Sequence, residues 1–594
     1  MPQSDSPSLP SRWTFSDYGR CLDSGAPINA LLAELDARDK AYDDPAIWID
    51  RLAAEKRALW VAAASTGIQG KALRGLPFAI KDNIDLAGTR STAACPSFNP
   101  TPAEVSAPVV ERLVEAGAIP IGKTNMDQFA TGLVGVRSPY GTPRNTFDPR
   151  YIPGGSSSGS AAAVAAGLCA FSLGTDTAGS GRVPASLNEL VGYKPTRGLI
   201  STRGVVPACR TLDCVSIFAR TVGDAAAVAR VAIGFDPLDP FSRACPPTFH
   251  RAPKQPTVAV PSATDLEFFG DTEAADLFKA ATQRLKTLGM DVVEIDYRAF
   301  REAASLLYEG PWVAERYLAV GSHLEAAAEV IHPITREIIS KGAHPRAADA
   351  FRAFERLAGL RQQAEQVWNG CVAMLTPTLP TPYLCEEVSA DPIRLNSRLG
   401  TYTNHFNLLD LCGIAVPAGR LRGGTLPWGV TFSAPAFHDD VLFDLASRFL
   451  AERLPEPALR PTGTRVEVAV CGAHLRGFPL NQDLVRLGGA FVEETTTRAA
   501  YRFYALAGTV PAKPGLVRVD AGGFEIGVEV WSIPEANFGR LVAGIPSPLG
   551  IGTVELVDGR TVKGFLCESA GLAGAEDISH LGNWRRYTSA RAKD

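Results

Sequence analysis

The sequence predicts an α/β protein with a mixed, largely parallel central sheet covered by helices, followed by a small β-rich, barrel-like domain. Two observations support this prediction. Before residue 454, segments with helical periodicity alternate with short buried strands. After residue 464, the segments are short, rich in β-branched residues and alternating in polarity. The length of 594 residues also exceeds the size at which a single core stops growing.

The first part of the chain alternates between helical and strand patterns. Apolar residues three and four apart predict helices within residues 12–66, and "PFAIKDNID" predicts a buried strand. "APVVERLVEAGAIPIGKT" predicts a helix, a glycine stop and a strand. The later predicted elements are a helix and strand in 159–175, strands in "PTVAVPS" and "MDVVEIDY" around a helix near 272–288, and an amphipathic helix at 436–453.

The proline-rich stretch "LPEPALRPTGT" at 454–464 has the composition of a linker. We therefore predict one domain over residues 1–455 and a second over 464–594. In the second, Asp558 and Gly559 predict a hairpin turn between two β-rich segments.

Composition and charge exclude several classes of function. The net charge of −4 and the absence of a basic block argue against a nucleic-acid partner. Eleven scattered cysteines without a CxxC pair fit a reducing compartment, and the first residues lack the pattern of a signal peptide. No apolar run is long enough for a membrane span. We predict a cytoplasmic protein that handles a small molecule and needs neither metal nor other cofactor.

Two serine-rich stretches stand close together, "YIPGGSSSGS" at 151–160 and "GTDTAGSGRVPAS" at 174–186. One interpretation is a flexible loop. However, the first stretch leads directly into an alanine-rich helix, whose N-terminal N–H groups favour negative charge. The second is a glycine-supported turn in which several N–H groups can converge, as in an oxyanion hole. The pair therefore favours nucleophilic catalysis.

A serine nucleophile needs a base, and the first 249 residues contain no histidine. A lysine can serve if its pKa lies about three pH units below the ordinary value of about 10.4, a difference of about 4 kcal/mol. Lys81 suits this role because it follows the apolar strand "PFAI". Lys123 in "PIGKTN" is the competing candidate, and a distant histidine is a further alternative.

From Leu76 to Val222 the sequence resembles the amidase signature enzymes, through "PFAIKDNID", "GKTNMDQFATG", "YIPGGSSSGS", "GTDTAGSGRVPAS" and "GYKPTRGLIS". The resemblance implies the amidase signature fold and a Ser–Ser–Lys triad. The implied site has Lys81 as base, Ser156 as bridging serine, Ser180 as acylated nucleophile, and Thr177, Ala178, Gly179 and Ser180 as oxyanion-hole N–H donors. It also implies a cis peptide bond between Gly155 and Ser156.

Other polar residues in these stretches have supporting roles in this interpretation. We expect Ser157 to support the triad, Ser158 and Ser160 to be structural hydroxyls, Asp176 to orient the turn, and Arg182 to be structural.

The stretch "LLYEGPWVAERYLA" bears on the substrate. Taken alone, it allows Arg316 to pair with Glu315 or solvent while Tyr308 packs. It also resembles allophanate hydrolases, in which a tyrosine and an arginine eight residues apart hold the substrate carboxylate. That resemblance implies substrate contacts from Tyr308, Arg316 and the backbone of Gly132. Pro311 predicts a helix start, with Tyr308 just before the helix and Arg316 inside it.

In the second domain, "AVCGAHLRGFPLN" resembles the opening of the extra C-terminal domain of allophanate hydrolases, which is γ-glutamyl cyclotransferase-like. The resemblance implies that the first domain releases ammonia from allophanate and the second decarboxylates the N-carboxycarbamate product. It also implies a functional link to a biotin-dependent urea carboxylase and a homodimer. His474 is the candidate acid or anion donor, with Asn481 and Glu529 as companions; a structural role for each remains an alternative.

Three other functions remain open at this stage: an amidase of another small carboxylate-bearing amide, the amide-cleaving subunit of a tRNA-dependent amidotransferase, and an inactive scaffold with an amidase fold. The acidic net charge and the extra domain argue against the second. The presence of Lys81, Ser156 and Ser180 argues against the third.

Overall fold

The computed structural model describes residues 13–65, 71–245, 252–452, 454, 465–487 and 489–591. They form two compact units, one made of the described residues up to 454 and the other of those from 465. Most of the predicted linker, 454–464, lies outside the described residues. No helix in the described ranges is long and apolar enough to cross a bilayer.

The first unit contains one large sheet and the helices that cover it. Its strands are β1 (Trp48–Arg51), β2 (Pro77–Lys81), β3 (Ile119–Thr124), β4 (Phe171–Thr175), β5 (Val191–Lys194), β6 (Val215–Ala219), β7 (Thr257–Pro261), β8 (Asp291–Ile295), β9 (Ala373–Pro377), β10 (Leu411–Leu421) and β11 (Leu426–Pro435). Its helices are α1 (Phe15–Asp23), α2 (Ile28–Tyr42), α3 (Ala54–Ser65), α4 (Pro108–Glu115), α5 (Ser158–Ala165), α6 (Val183–Leu187), α7 (Val222–Ala232), α8 (Thr272–Thr287), α9 (Arg298–Glu309), α10 (Val313–Ala326), α11 (Pro333–Ser340), α12 (Ala347–Glu365), α13 (Cys385–Ala390), α14 (Arg394–Leu399) and α15 (Asp439–Leu450).

The sheet is mixed, as the sequence predicts, with strand order β1-β3-β2-β4-β6-β5-β10-β11-β9-β7-β8. Its parallel pairs are β2–β3, β2–β4, β7–β8 and β7–β9, and the other six pairs are antiparallel. The parallel share is therefore smaller than the helix–strand alternation indicates. The reason is that β5, β6, β10 and β11 pair antiparallel with each of their neighbours in the sheet, which the order of helices and strands along the sequence does not reveal.

The strands that carry the site are buried along their whole length, because helices cover both faces of this part of the sheet. The sequence of α5, "SGSAAAVA", consists almost entirely of small residues, and Ser158 to Val164 are all buried. Small side chains let a helix lie close to the sheet. The predicted helix and strand in 107–124 and the helix at 272–288 between two strands are confirmed.

The second unit is β-rich, as predicted. Its elements are β12 (Arg465–Val470), α16 (Asn481–Arg486), β13 (Ala490–Thr496), β14 (Tyr501–Ala505), β15 (Pro514–Arg518), β16 (Gly527–Pro534), α17 (Glu535–Ala543), β17 (Leu549–Glu555), β18 (Thr561–Cys567), β19 (Glu576–Asp577) and α18 (Trp584–Arg591). The strands form a five-stranded sheet, β13-β16-β12-β18-β17, and a three-stranded sheet, β15-β14-β19. An isolated bridge between Thr497 and Leu556 joins the ends of the two outer strands of the larger sheet, so the arrangement is barrel-like. β17 and β18 form the hairpin predicted at Asp558 and Gly559.

Candidate active site

The first site residue lies at the carboxyl end of a buried strand. Lys81 is the last residue of β2 and Thr175 the last residue of β4, and these strands are parallel neighbours. Their carboxyl ends therefore meet at one edge of the sheet. Lys81 Nζ donates a hydrogen bond of 2.8 Å to Thr175 Oγ1. The lysine side chain is completely buried.

Two serine hydroxyls continue from this amine. Ser156, just before α5, has its Oγ 2.8 Å from Lys81 Nζ. Ser180, in the turn before α6, has its Oγ 2.9 Å from Ser156 Oγ. The three side chains lie at most 3% exposed, so bulk water does not separate them. The structure thus brings together the lysine and the two serines selected from the sequence.

The backbone around Ser156 is tightly fixed. The Gly155–Ser156 peptide bond is cis, as the resemblance implies. Asp127 N donates to Ser156 O at 3.1 Å, and the Asp127 carboxylate accepts from the N–H groups of Gly135 and Arg137, each at 2.9 Å. A Cβ on Gly155 would overlap Asp127 Oδ2 and lie 2.5 Å from Gly135 N. Only glycine fits here.

Burial lowers the pKa of Lys81 to about 7, although the negative charges of Asp127, Asp176 and Asp213 oppose this effect. The positive charge of Arg316 acts in the same direction as burial. An amine with this pKa is about half neutral at pH 7 and largely neutral above about pH 8, so it can accept a proton from a hydroxyl.

The competing lysine lies on the other face of the sheet. In the β2–β3 register Lys123 pairs with Ile80, and Thr124 pairs with Lys81. Because side chains alternate between faces, Lys123 points away from the site. Its ammonium group donates to Ser91 Oγ at 2.9 Å and to Arg90 O at 3.1 Å, and lies 3.6 Å from the Asp82 carboxylate. The geometry therefore favours Lys81 over Lys123.

The turn formed by residues 176–180 contains backbone N–H groups that donate to no described residue. Among the hydrogen bonds of the described residues, the N–H groups of Thr177, Ala178, Gly179 and Ser180 have no protein acceptor. The Asp176 carboxylate accepts from Gly181 N at 3.0 Å and from the Arg182 guanidinium at 2.8 and 2.9 Å. Asp176 thus orients the turn, and Arg182 is its buried partner, as expected from the sequence.

The remaining serines of the first stretch bind the backbone or pack. Ser157 Oγ donates to Thr175 O at 3.3 Å, so it fixes the residue whose hydroxyl contacts Lys81. Ser160 Oγ donates to Leu173 O at 2.9 Å, and Ser158 Oγ has no hydrogen-bond partner in the described chain.

Tyr308 and Arg316 lie together. The Arg316 side chain is 2% exposed, and its Nη2 donates to Tyr308 OH at 3.3 Å. Its Nη1 donates to Ala130 O at 3.3 Å and Thr131 Oγ1 at 3.2 Å, while Nε has no partner among the described residues. All these acceptors are neutral. A buried guanidinium bound only by neutral groups is suited to an external anion.

Two details of this region differ from the sequence-based picture. Glu315 does not pair with Arg316; it accepts instead from Thr211 N at 2.8 Å and Thr211 Oγ1 at 2.5 Å. Tyr308 precedes α10 and Arg316 lies in its first turn, as predicted, but Tyr308 itself belongs to the last turn of the preceding helix, α9. Gly132 follows Thr131 and has a positive φ of 156°.

Sequence reasoning missed Thr175 and Thr131, which bind Lys81 and Arg316. Thr175 had a usable signal, since it ends a predicted strand within the same motif as Ser180. No local sequence pattern indicates the role of Thr131, because Thr131 and Arg316 are 185 residues apart in the sequence.

The candidates of the second unit separate into two places. His474 is half-buried, stacks on Phe565 at a ring distance of 5.0 Å, and lines a cavity of about 530 Å³. Burial lowers the pKa of His474. Asn481 Nδ2 donates to His474 O at 2.8 Å. The charged residues of the cavity wall are Asp483, Arg486, Lys513 and Arg540.

Glu529 is not part of this cavity wall. Its carboxylate is 1% exposed and accepts from Arg476 N at 3.0 Å, Arg585 Nη2 at 2.8 Å and Trp531 Nε1 at 3.1 Å. It therefore neither faces water nor joins His474, and the geometry supports a structural ion pair.

Comparison with known proteins finds a matching family model for each of the two units. Residues 28–443 match the Amidase family, and residues 466–589 match the allophanate hydrolase C-terminal domain. The chain is 41% identical over 591 residues to urea amidolyase of Lachancea kluyveri, covering 94% of this chain and 32% of that protein. It therefore spans about a third of the length of the urea amidolyases it matches.

Two further relatives match this chain over different shares of its length. The structure of Kluyveromyces lactis allophanate hydrolase is 39% identical with a TM-score of 0.73, covering 98% of this chain and all of that chain. One subunit of the glutamyl-tRNA(Gln) amidotransferase of Lacticaseibacillus paracasei is 33% identical, covering 72% of this chain and 92% of that protein. The match to the family model covers most of the chain, and the site motifs lie within it, so the chain belongs to the amidase family.

Proposed function

We propose that the chain is an allophanate hydrolase that cleaves the terminal amide of allophanate with a Ser–Ser–Lys triad. The observation that carries the proposal is the unbroken line of hydrogen-bond distances from Lys81 Nζ through Ser156 Oγ to Ser180 Oγ, all in a buried setting. No other group is needed to deliver the proton of the nucleophile to a base.

In the first step, neutral Lys81 accepts the proton of Ser156 while Ser156 Oγ accepts the proton of Ser180. Ser180 Oγ then attacks the amide carbonyl carbon. The negative charge that develops on the carbonyl oxygen is stabilised by N–H groups of Thr177, Ala178, Gly179 and Ser180, which have no acceptor among the described residues.

In the second step, the proton returns along the same line to the leaving nitrogen, the C–N bond breaks and ammonia departs. Water then attacks the acyl group on Ser180, with Lys81 again accepting a proton through Ser156. The products are ammonia, the dianion N-carboxycarbamate and one proton, which ammonia takes up in solution, and Ser180 regains its hydroxyl.

The substrate carboxylate is proposed to bind Arg316 and Tyr308, with the backbone of Gly132 beside them and Ser157 supporting the triad from the Thr175 side. The support is that Arg316 is buried yet bound only by neutral acceptors. The negative charges of Asp213 and Glu315 act on Arg316 without a hydrogen bond to it. A substrate carboxylate would supply a counter-charge in direct contact with the guanidinium, and a neutral amide would not.

The second unit is proposed to decarboxylate the N-carboxycarbamate dianion: the C–N bond to one carboxylate breaks, the nitrogen takes up one proton, and carbamate and carbon dioxide form. Carbamate then takes up a second proton and breaks down to ammonia and a second carbon dioxide. The cavity beside His474 supports this step, since Arg486, Lys513 and Arg540 in its wall suit a small dianion. Asn481 holds the backbone of His474. We propose that this unit, 464–594, is the γ-glutamyl cyclotransferase-like domain that follows an amidase domain at 1–455.

The urea amidolyase relatives suggest where the substrate comes from. We propose a functional link to a biotin-dependent urea carboxylase, whose reaction would supply allophanate, with no nucleic-acid or membrane partner. We further propose a cytoplasmic homodimer.

A role in a tRNA-dependent amidotransferase is the alternative function, because the chain is 33% identical to one subunit of such an enzyme. The match of residues 466–589 to the allophanate hydrolase C-terminal domain favours allophanate over a tRNA-bound substrate.

The decisive experiment compares ammonia release from allophanate, malonamate, acetamide and urea. We expect a preference for allophanate and its loss in Ser180→Ala. Equal rates for acetamide and allophanate would be consistent with an amidase but would contradict the proposal that allophanate is its specific substrate. Covalent labelling of wild type but not of Ser180→Ala by a fluorophosphonate would separate a catalyst from an inactive scaffold.

A further inference from the structure

A side chain from a distant part of the chain holds the turn that carries Ser180. Asn407, between α14 and β10, is 1% exposed. Its Nδ2 donates to Asp176 O at 2.8 Å and to Thr177 O at 3.1 Å. One amide group thus binds two consecutive carbonyl groups of the turn, across more than 200 residues of sequence.

This contact determines the direction of two backbone donors. In a planar trans peptide, the C=O of one residue and the N–H of the next point in opposite directions. The peptide bonds after Asp176 and Thr177 are trans. When Asn407 holds these carbonyl groups on one side, the N–H groups of Thr177 and Ala178 point to the other side. These are two of the donors without an acceptor in the described chain.

The other anchors of the turn hold different atoms. Asp213 accepts from Thr177 Oγ1 and from the N–H groups of Ala208 and Cys209, at 2.8 and 3.1 Å. Asp176 accepts from Gly181 N. These contacts restrain the side chain of Thr177 and the C-terminal end of the turn. Among the described contacts, only Asn407 binds the carbonyl groups that precede the two N–H donors.

We propose that Asn407 is a positioning residue for amide hydrolysis: by holding the carbonyl groups of Asp176 and Thr177, it aims the N–H groups of Thr177 and Ala178 at the substrate oxygen on which charge develops. The proposal rests on the proposed function of the turn as an oxyanion hole. Asn407 acts through the backbone and does not itself contact the substrate.

The chemistry requires an amide donor at this position. Asn407 Oδ1 accepts from Cys214 Sγ at 3.6 Å, which leaves the NH₂ group to the turn. Leucine has a similar size but no donor, so it would leave two buried carbonyl groups without their partner. Leucine also adds no charge near Lys81, so a change in the lysine pKa would not confuse the result.

The test compares wild type with Asn407→Leu, Asn407→Gln and the control Cys214→Ala. The control removes the contact at the other end of the amide, together with two long contacts of the thiol, to Lys194 Nζ and Leu212 O, each at 3.9 Å. The readouts are kcat and KM for allophanate, the pH profile, the melting temperature, and the affinities for malonate and 3-boronopropanoic acid. Malonate probes carboxylate binding alone. The boronic acid forms a bond from boron to Ser180 Oγ, whose hydroxyl proton passes through Ser156 to Lys81. The boron centre thereby becomes a tetrahedral anion that needs the N–H donors.

We expect Asn407→Leu to lower kcat about 10- to 100-fold, below the loss typical of a direct oxyanion donor, and to weaken boronate binding by a similar factor. KM and the affinity for malonate should stay within about twofold of the wild-type values, and the acid limb of the pH profile should not move. Cys214→Ala should match wild type in all readouts. Asn407→Gln, which keeps an amide donor, should recover part of the loss.

An unchanged kcat in Asn407→Leu, or an equal weakening of malonate and boronate binding, would overturn the proposal. If the leucine variant does not fold, a comparison of Asn407→Gln with Cys214→Ala tests the same proposal. The boronate and malonate affinities do not depend on allophanate as substrate. A wild type that binds boronate but does not cleave allophanate would therefore contradict the proposed function and leave the role of Asn407 to be judged separately.

Discussion

At the scale of single residues, the candidate site contains an amine whose pKa lies well below the ordinary lysine value. Lys81 is enclosed at a strand end, and burial lowers its pKa to about 7 despite three nearby carboxylates. An ordinary lysine is protonated at this pH and cannot accept a proton. In the proposed mechanism, Lys81 can therefore act as a base near neutral pH without a histidine.

The first prediction concerns pH. Below pH 7, Lys81 becomes protonated and can no longer take the Ser156 proton, so kcat/KM for allophanate should fall about tenfold per pH unit and level off above about pH 8. A stopped ammonia assay between pH 5 and 9 measures this. An acid limb near pH 4 to 5, typical of a carboxylate, would contradict the assignment of Lys81 as base.

The second prediction concerns Arg316. Arg316→Met removes a charged hydrogen-bond donor, a loss of about 1.5–3 kcal/mol, so KM for allophanate and malonamate should rise about 10- to 100-fold. KM for acetamide should change little, because acetamide has no carboxylate. Arg352→Met, at an exposed arginine of α12, is the matched control and should behave as wild type. Similar increases for charged and neutral amides would refute the carboxylate clamp.

At the scale of elements, parallel strands and tight turns bring the reactive groups together. Lys81 and Thr175 meet because β2 and β4 run side by side in the same direction. Ser156 joins them through the backbone before α5, where glycine is required by the Asp127 carboxylate. At Gly179, with φ of 140°, a Cβ would lie 2.8 Å from Thr403 Cβ, so the turn of Ser180 is equally confined.

The third prediction tests this confinement. Gly155→Ala should either prevent folding or lower the melting temperature strongly, because the added methyl overlaps Asp127 Oδ2 and Gly135 N. Gly359→Ala, in the interior of α12 with no atom within 4 Å of an added Cβ, is the control. It should gain up to about 1 kcal/mol from helix propensity. Thermal unfolding of both variants measures the difference, and a Gly155→Ala protein as stable as wild type would disprove the packing argument.

Sequence patterns predict those parts of the fold and site that depend on local order. The strand ending at Lys81, the helix after Ser156 and the hairpin at Gly559 each have a local signal, in periodicity or in turn residues. The position of Asn407 against the turn has no such signal, since it follows from the three-dimensional packing of segments far apart in the chain. The share of antiparallel pairs also depends on long-range pairing, which helix–strand alternation does not record.

At the scale of the whole molecule, each unit has its own interior. The second unit packs buried residues such as Val530, Trp531 and Trp584 into a separate core. Within the described part of the chain, the residues that line its cavity beside His474 all belong to that unit. The two proposed reactions can therefore be impaired one at a time.

The fourth prediction uses this separation. His474→Ala and Lys513→Met should leave the first ammonia release unchanged but slow the decarboxylation, so that N-carboxycarbamate accumulates. Carbon-13 NMR of labelled allophanate during turnover would detect this dianion. Lys563→Met, at an exposed lysine outside the cavity wall, is the control. If neither cavity variant changes the product course, the second reaction does not take place in this cavity.

Two self-contained cores also have an evolutionary consequence. A segment that buries its own hydrophobic residues can be joined to other coding sequences without redesign of its interior. The urea amidolyases are about three times as long as the portion that matches this chain, which is what gene fusion around such a segment would produce. Within a longer polypeptide, such a segment can keep the enclosed surroundings of Lys81, Ser156 and Ser180 unchanged.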